Sequence, residues 1–164
     1  MDNRTAPTVI LRAPEMHRDL DRLFRWELTQ QRGYDVAQDA PPAPSRMELW
    51  AFLHNYHHSL VCDGQIRFMV DTEDCQEDTV TVGYVDLCDF DAESGVAYVS
   101  VFTAESMRRC GYALAALRAL AEVAKTMSIN RLCAVVSAAN EPSQRLFASA
   151  GYRNNGNGLQ VLNL

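Results

Sequence analysis

Hydrophobic and polar positions change period several times along the chain, and each change marks an element. Thr8–Arg12 (TVILR) is a short run rich in β-branched residues and predicts a first strand. Between Pro14 and Leu28, the positions Leu20, Leu23, Phe24 and Glu27 recur at helical spacing, which predicts a helix. Gln31–Pro44 holds three prolines among small residues and breaks any period, so it reads as a loop within the domain. Ser45 followed three residues later by Glu48 has the capping-box pattern, in which each side chain satisfies an unpaired backbone N–H at a helix start. A second helix should begin there, its apolar positions Leu49, Phe52, Leu53 and Tyr56 carrying it to about Ser59.

Beyond Asp63-Gly64 the pattern becomes that of strands. Ile66–Asp71, Thr79–Leu87 and Val96–Thr103 are each rich in Val, Phe, Tyr or Thr, and Asp71–Asp78 and Asp89–Gly95 read as the turns between them. Such short connections favour an antiparallel meander. The helical period returns with Ala113, Ala116, Leu117, Leu120, Ala124 and Met127 on one face. Arg131–Ser137 predicts the next strand and Asn140–Ala150 a short helix stopped by Gly151. Leu159–Leu164 supplies a last strand after the turn-rich Asn154–Gly158. Strand, helix, strand is a crossover unit, so the strands flanking the long helix are expected to be parallel neighbours.

Composition sets the frame for these elements. A chain of 164 residues suits one compact domain, and 48% hydrophobic with 22% charged residues can support a folded core. The formal charge of −6 argues against a nucleic-acid footprint, which needs concentrated Lys and Arg. No apolar run approaches the length that spans a bilayer, and MDNRTAPTVILRAPE lacks the apolar core of a secretory signal. Cytoplasmic residence is the expectation. Cys62, Cys75, Cys88, Cys110 and Cys133 are odd in number and form no C-x-x-C pair, which fits free thiols in a reducing compartment.

The chemistry concentrates in Arg108-Arg109-Cys110-Gly111-Tyr112-Ala113, between a predicted strand and the long alanine-rich helix. A helix start carries unpaired N–H groups and partial positive charge, and so receives phosphate readily. Gly111 permits close backbone approach, Ala113 keeps the side chain small, and Arg108 and Arg109 add charge. An R-x-x-G-x-A string alone is equally a glycine turn opening a helix. Here it is followed, after a strand, by Asn140-Glu141-Pro142-Ser143, then Leu146-Phe147, then Gly151-Tyr152.

These two segments together resemble the GNAT acetyltransferases, whose signature is strand, R/Q-x-x-G-x-G/A, helix, strand, then N-x-x-(A/S)-x-x-x-(Y/F)-x-x-x-G-(F/Y). The match covers about Val96–Tyr152. Upstream, VILRAPEMHRDLDRLFRWE, an apolar second helix and GYVDLCDFD are similar to the subgroup of ribosomal-protein and spermidine acetyltransferases. The resemblance implies an α+β fold: a mixed, mostly antiparallel sheet with one parallel, splayed strand pair, flanked by about four helices. It implies acetyl-CoA as cosubstrate, no metal, and transfer to a small amine or a protein N-terminus, with a homodimer allowed for. By position, Phe102 and Thr103 would present backbone groups to the pantetheine arm, and Arg108 through Ala113 would cradle the diphosphate. Asn140 would cap the next helix and touch the cofactor arm, with Ser143 nearby. Backbone donors left free by the splay would hold the thioester oxygen, and such donors are worth about 3 to 4 kcal/mol each in acyl transfer.

One departure stands out. Phe147 occupies a position where many members carry a tyrosine that protonates the leaving thiolate, and a phenyl ring has no proton to give. Losing a general acid costs on the order of 10² to 10⁴ in rate. Tyr98, Tyr152 or a water could stand in. An alternative is a catalytically weak acyl-CoA sensor. The incoming amine must also lose a proton, and Asp86 in Tyr84-Val85-Asp86-Leu87 is the leading base, against the alternative of a surface carboxylate at a strand end. Trp26, Glu27 and Tyr34 fall where the subgroup builds its acceptor pocket; a core aromatic beside solvated charge is the competing reading. His54 and His58 have metal-binding spacing without a third ligand, and are better read as solvent-facing histidines of one helix.

Overall fold

The computed structural model describes residues 7–34, 42–72 and 79–164. Their contacts group into two compact units, one formed by Ala13–His57 and the other by the chain up to Arg12 together with His58–Leu164.

The smaller unit holds two helices. α1 (Met16–Tyr34) starts where the buried Asp19 carboxylate accepts the Glu15 N–H at 2.8 Å and pairs with Arg22 at 2.9 Å. It runs past the predicted end at Leu28, so residues 31–34, read from the sequence as loop, are helical. The rest of the predicted loop, residues 35–41, lies outside the described residues, as does most of the acidic turn, residues 73–78. α2 (Arg46–His54) opens on the predicted capping box: Ser45 Oγ accepts the Glu48 N–H at 3.2 Å and Glu48 accepts the Ser45 N–H at 2.6 Å. Its end comes earlier than Ser59. Asn55 caps it, its N–H and Nδ2 both donating to the Ala51 carbonyl, and the next N–H, of Tyr56, goes to the Leu53 carbonyl at 3.5 Å in place of the helical bond to Phe52. His58 is therefore off the helix that carries His54, with a left-handed φ of 55°, and the helical spacing of that pair does not exist.

The larger unit is built on a seven-stranded sheet in the order β1-β2-β3-β4-β5-β7-β6. Its strands are β1 (Val9–Arg12), β2 (Gln65–Thr72), β3 (Val80–Asp91), β4 (Val96–Thr103), β5 (Arg131–Val135), β6 (Arg153–Asn154) and β7 (Leu159–Asn163). A one-turn α3 (Leu60–Asp63) ends at left-handed Gly64 and leads into β2. All pairs are antiparallel except β4 with β5, the parallel neighbours that the crossover through α4 (Tyr112–Thr126) requires. α5 (Glu141–Ser149) follows β5. This is the mixed α+β arrangement anticipated from the sequence.

β3 is longer than its pattern suggested: it continues to Asp91 through an irregularity at Asp89, whose φ is 49°, so the turn shrinks to residues 92–95. β5 is shorter, ending at Val135 and not at Ser137, although the Val136 N–H still bonds the Gly158 carbonyl at 2.8 Å in register with β7. β6 was not anticipated; two residues are too few to show a period.

One face of the sheet carries the apolar core. Ile66, Phe68, Val85, Leu87, Ala97, Val99, Leu132 and Ala134 belong to one buried cluster with Ala116, Leu117, Leu120, Ala121 and Ala124 of α4. Three alanines on that helix stripe keep its packing surface low, which lets the helix approach the sheet closely. The opposite face of β1–β4 mixes buried Met69, Tyr84 and Phe102 with ion pairs: Arg12 pairs with Asp71 at 2.8 Å and reaches Thr81 at 3.1 Å, and Arg67 pairs with Asp86 at 2.8 Å.

Candidate functional site

Three features of the larger unit make up the candidate site, the first two at the end of β4. The first is a fork. β4 pairs with β5 at Val96↔Arg131, Ala97↔Leu132 and Tyr98↔Cys133, and there the parallel ladder ends. β4 continues to Thr103 with β3 as its sole paired neighbour among the described residues. Beyond Tyr98 the side of β4 turned away from β3 is therefore not covered by β5.

The second is the turn after β4. Glu105–Met107 makes one 3-10 turn, Arg108 is extended, and Arg109 and Gly111 both take left-handed φ, 61° and 86°. Gly111 is the N-cap of α4 and contributes no side chain; the first helical bond runs from the Ala115 N–H to the Gly111 carbonyl at 3.0 Å. Among the described residues, the N–H groups of 109–114 have no partner. A string of unpaired amides at the start of a 15-residue helix is a receptor for anionic oxygen. A Cβ on Gly111 would lie 3.1 Å from the ring of Pro7, so the turn is closed on that side. Arg108 Nε reaches back to the Thr103 carbonyl at 3.4 Å and Cys110 donates its thiol proton to the Arg108 carbonyl at 3.4 Å, tying the turn to the strand end. These features fit the diphosphate of a nucleotide cofactor.

The third is the start of α5. Asn140 caps it, Oδ1 accepting the Ser143 N–H at 3.2 Å, with Pro142 in the first turn. Gln144 Nε2 donates to the Ser137 and Ala138 carbonyls, 3.0 Å each, holding the loop from β5. Phe147 does not face solvent: it is 4% exposed, in the core, edge-on to Tyr152 at 5.0 Å. The Tyr152 hydroxyl is buried and has no hydrogen-bond partner among the described residues. Burial, with the nearby Cys133 second, pushes that phenol well above its ordinary range, which keeps its proton in place and makes it a reluctant donor.

The acid–base candidates are placed as follows. Tyr98 is half-buried at the last rung before the fork. Asp86 lies one strand in, opposite Ser100 in register and 6% exposed, not at a surface strand end. Both its oxygens are engaged: Arg67 donates to Oδ1 and Oδ2 at 2.8 and 2.9 Å, and Ser100 Oγ donates to Oδ2 at 3.1 Å. Next along β3, burial raises the Cys88 thiol to about 11, helped by Asp89 and Asp86.

Trp26 and Glu27 are half-buried on α1, the Arg22 guanidinium 6.0 Å from the Trp26 ring centre, and Tyr34 is that helix's last residue. They belong to the smaller unit. His54 stacks on Trp50 at 4.6 Å, and no group of three or more His, Cys, Asp or Glu suited to a metal occurs among the described residues. Nor is any helix among them long and apolar enough to cross a membrane.

Two contributors went unread in the sequence. Gly83 of β3 is pressed against β4: an added Cβ would overlap the Phe102 carbonyl oxygen and lie 3.0 Å from its carbon. A glycine inside an otherwise β-branched strand is the signal that marks such an approach. Arg67, whose guanidinium lies 3.8 Å over the Tyr84 ring as well as on Asp86, carries no local signal.

Residues 8–153 match the family model of the acetyltransferase (GNAT) domain. Among solved structures, a chimera of the Vibrio cholerae spermidine N-acetyltransferase SpeG and hSSAT is similar over 94% of this chain and 95% of that one, at 18% identity and TM-score 0.74. Mycobacterium smegmatis RimJ in complex with CoA-disulfide covers 96% of this chain and 83% of its own, at 20% identity and TM-score 0.78. RimL, a ribosomal L7/L12 α-N-protein acetyltransferase in complex with coenzyme A, covers 96% and 94%, at 17% identity and TM-score 0.76. At these identities the structures establish a shared fold. No curated protein sequence matches significantly.

Proposed function

The chain belongs to the GNAT acetyltransferase family and is an acetyl-CoA-dependent acetyltransferase, and from that premise we propose that it transfers the acetyl group directly to a primary amine. The acceptor would be a polyamine, another small amine or a protein N-terminus. That the similar structures include a spermidine acetyltransferase and a ribosomal-protein acetyltransferase supports this acceptor class.

The observation that carries the reading is the continuity of the fork with the turn. The strand that parts from β5 after Tyr98 leads within a few residues into the string of unpaired amides before α4. Acetyl-CoA supplies an activated acetyl thioester. In this reading, the side of β4 turned away from β3 at Phe102 and Thr103 holds the pantetheine arm, and residues 108–113 hold the diphosphate, the two arginines adding charge. Asn140, already committed by Oδ1 to the Ser143 N–H, keeps Nδ2 for the arm. Phe147 seals the core beneath without donating a proton. The ammonium of the acceptor loses its proton near Tyr98 and Ser100, with the Asp86 carboxylate, which accepts from Ser100 Oγ, behind them.

Phe147, and the double engagement of Asp86, favour a second reading, a weak catalyst that senses acyl-CoA. Calorimetric titration with acetyl-CoA, followed by a thiol-release assay on polyamines, amino-terminal peptides and aminoglycosides, separates the two. Binding with thiol release on at least one amine supports transfer; binding without release on any amine supports the sensor; no binding refutes both.

A further inference from the structure

We propose that Arg67, two strands from the edge where the cofactor arm would lie, is a positioning residue for that edge. The inference rests on β4 receiving acetyl-CoA. From Val99 to Thr103, β3 is the sole strand paired with β4 among the described residues. Two side-chain contacts reinforce that stretch on one face of the sheet. Ser100 Oγ donates to Asp86 Oδ2 at 3.1 Å, and Tyr84 stacks on Phe102 with ring centres 5.1 Å apart. In each contact the β3 partner is held by Arg67 of β2. Its Nε and Nη2 donate to Asp86 at 2.8 and 2.9 Å, and its Cζ lies 3.8 Å over the Tyr84 ring.

A guanidinium serves both at once, because its edge forks onto a carboxylate while its face covers a ring. A lysine ammonium offers a point charge and cannot do both. Tyr84, Asp86 and Phe102 are 4%, 6% and 9% exposed, so the ring contact and the Arg67–Asp86 pair are made away from water, where each is stronger, while Ser100 reaches Asp86 from an exposed position. Arg67 thereby couples the two ties that fix Ser100 and Phe102. Asp86, on the same argument, acts first as an anchor for β4, and a proton-accepting role comes second to it.

Removing one member of a buried ion pair leaves an uncompensated charge and risks unfolding. The test therefore pairs Arg67→Lys with the double variant Arg67→Met/Asp86→Leu, which leaves no buried charge behind. Measured are the melting temperature, the Kd for acetyl-CoA by calorimetry, and kcat and KM for acetyl-CoA against pH. The double variant is expected to stay folded and to bind acetyl-CoA about tenfold more weakly, a loss of about 1.4 kcal/mol. Arg67→Lys should bind several-fold more weakly, with KM rising in step and the shape of kcat against pH unchanged. Wild-type affinity in the folded double variant, or in Arg67→Lys if the double variant does not fold, overturns the proposal. A kcat profile that loses its acidic limb in the double variant, at unchanged Kd, overturns it in favour of Asp86 as base. Wild-type protein that gives no heat with acetyl-CoA refutes the cofactor reading itself.

Discussion

Gly83→Ala tests how closely the proposed cofactor edge depends on the strand behind it. The perturbation is one methyl group. Built on the existing backbone, it overlaps the Phe102 carbonyl oxygen and lies 3.0 Å from the Phe102 carbon and 3.1 Å from the Thr103 Cα, all main-chain atoms that cannot rotate away. Ordinary contact would require β3 and β4 to part by roughly 1 Å, and overpacking of this kind costs about 1–3 kcal/mol. Taking about 2 kcal/mol, at about 2–4 °C per kcal/mol for a protein of this size, the melting temperature should fall by about 4–8 °C. The same displacement moves Phe102 and Thr103, and misplacing a positioned group by about 1 Å can cost on the order of 10²-fold in rate. Weakening of acetyl-CoA binding by at least tenfold is therefore expected in calorimetric titration. Gly156→Ala is the control: its φ is 88° but nothing lies within 4 Å of an added Cβ, so only the left-handed backbone cost of about 1–2 kcal/mol applies and affinity should hold. Gly83→Ala with unchanged melting temperature would refute the packing argument; a lowered melting temperature with unchanged affinity would detach Phe102 from the cofactor.

Further outcomes follow from other positions. Gly111→Val puts a β-branched residue at φ 86° against Pro7, and acetyl-CoA affinity should drop at least tenfold; unchanged affinity in titration would place the diphosphate elsewhere. Asn140→Ala removes the cap of α5 and should cost about 1 kcal/mol, read as a loss of about 2–4 °C in a thermal melt. Tyr152→Phe deletes a buried, unpartnered hydroxyl and should leave stability equal or raise it by up to about 1 kcal/mol; a loss in denaturant titration would reveal a partner. Cys88 is raised from 9.0 to about 11 in the folded chain, so its neutral thiol stabilises the fold fully below pH 9 and that contribution is lost as pH rises toward 11. Cys88→Ala should flatten the fall in melting temperature across that window, and an identical fall in both proteins would contradict the assignment.

The parts of the molecule that the sequence determined by itself are those whose physical causes lie within a few residues. The capping box at Ser45 and Glu48 and the Asn140 cap each join residues three apart, so their hydrogen bonds are written in the local order. Gly111 before an alanine-striped helix announces a left-handed turn with unpaired amides, and strand–helix–strand order forces β4 and β5 parallel. What only the tertiary structure decided depends on partners far apart in the chain. Where the ladder between β4 and β5 stops, at Tyr98↔Cys133, is decided between residues far apart in the chain, which no period reveals. Whether Asp86 is free or held depends on Arg67, 19 residues before it, and Ser100, 14 after. A carboxylate in a strand has the same local pattern whether its neighbour across the sheet is water or a guanidinium, and register alone brings the guanidinium there.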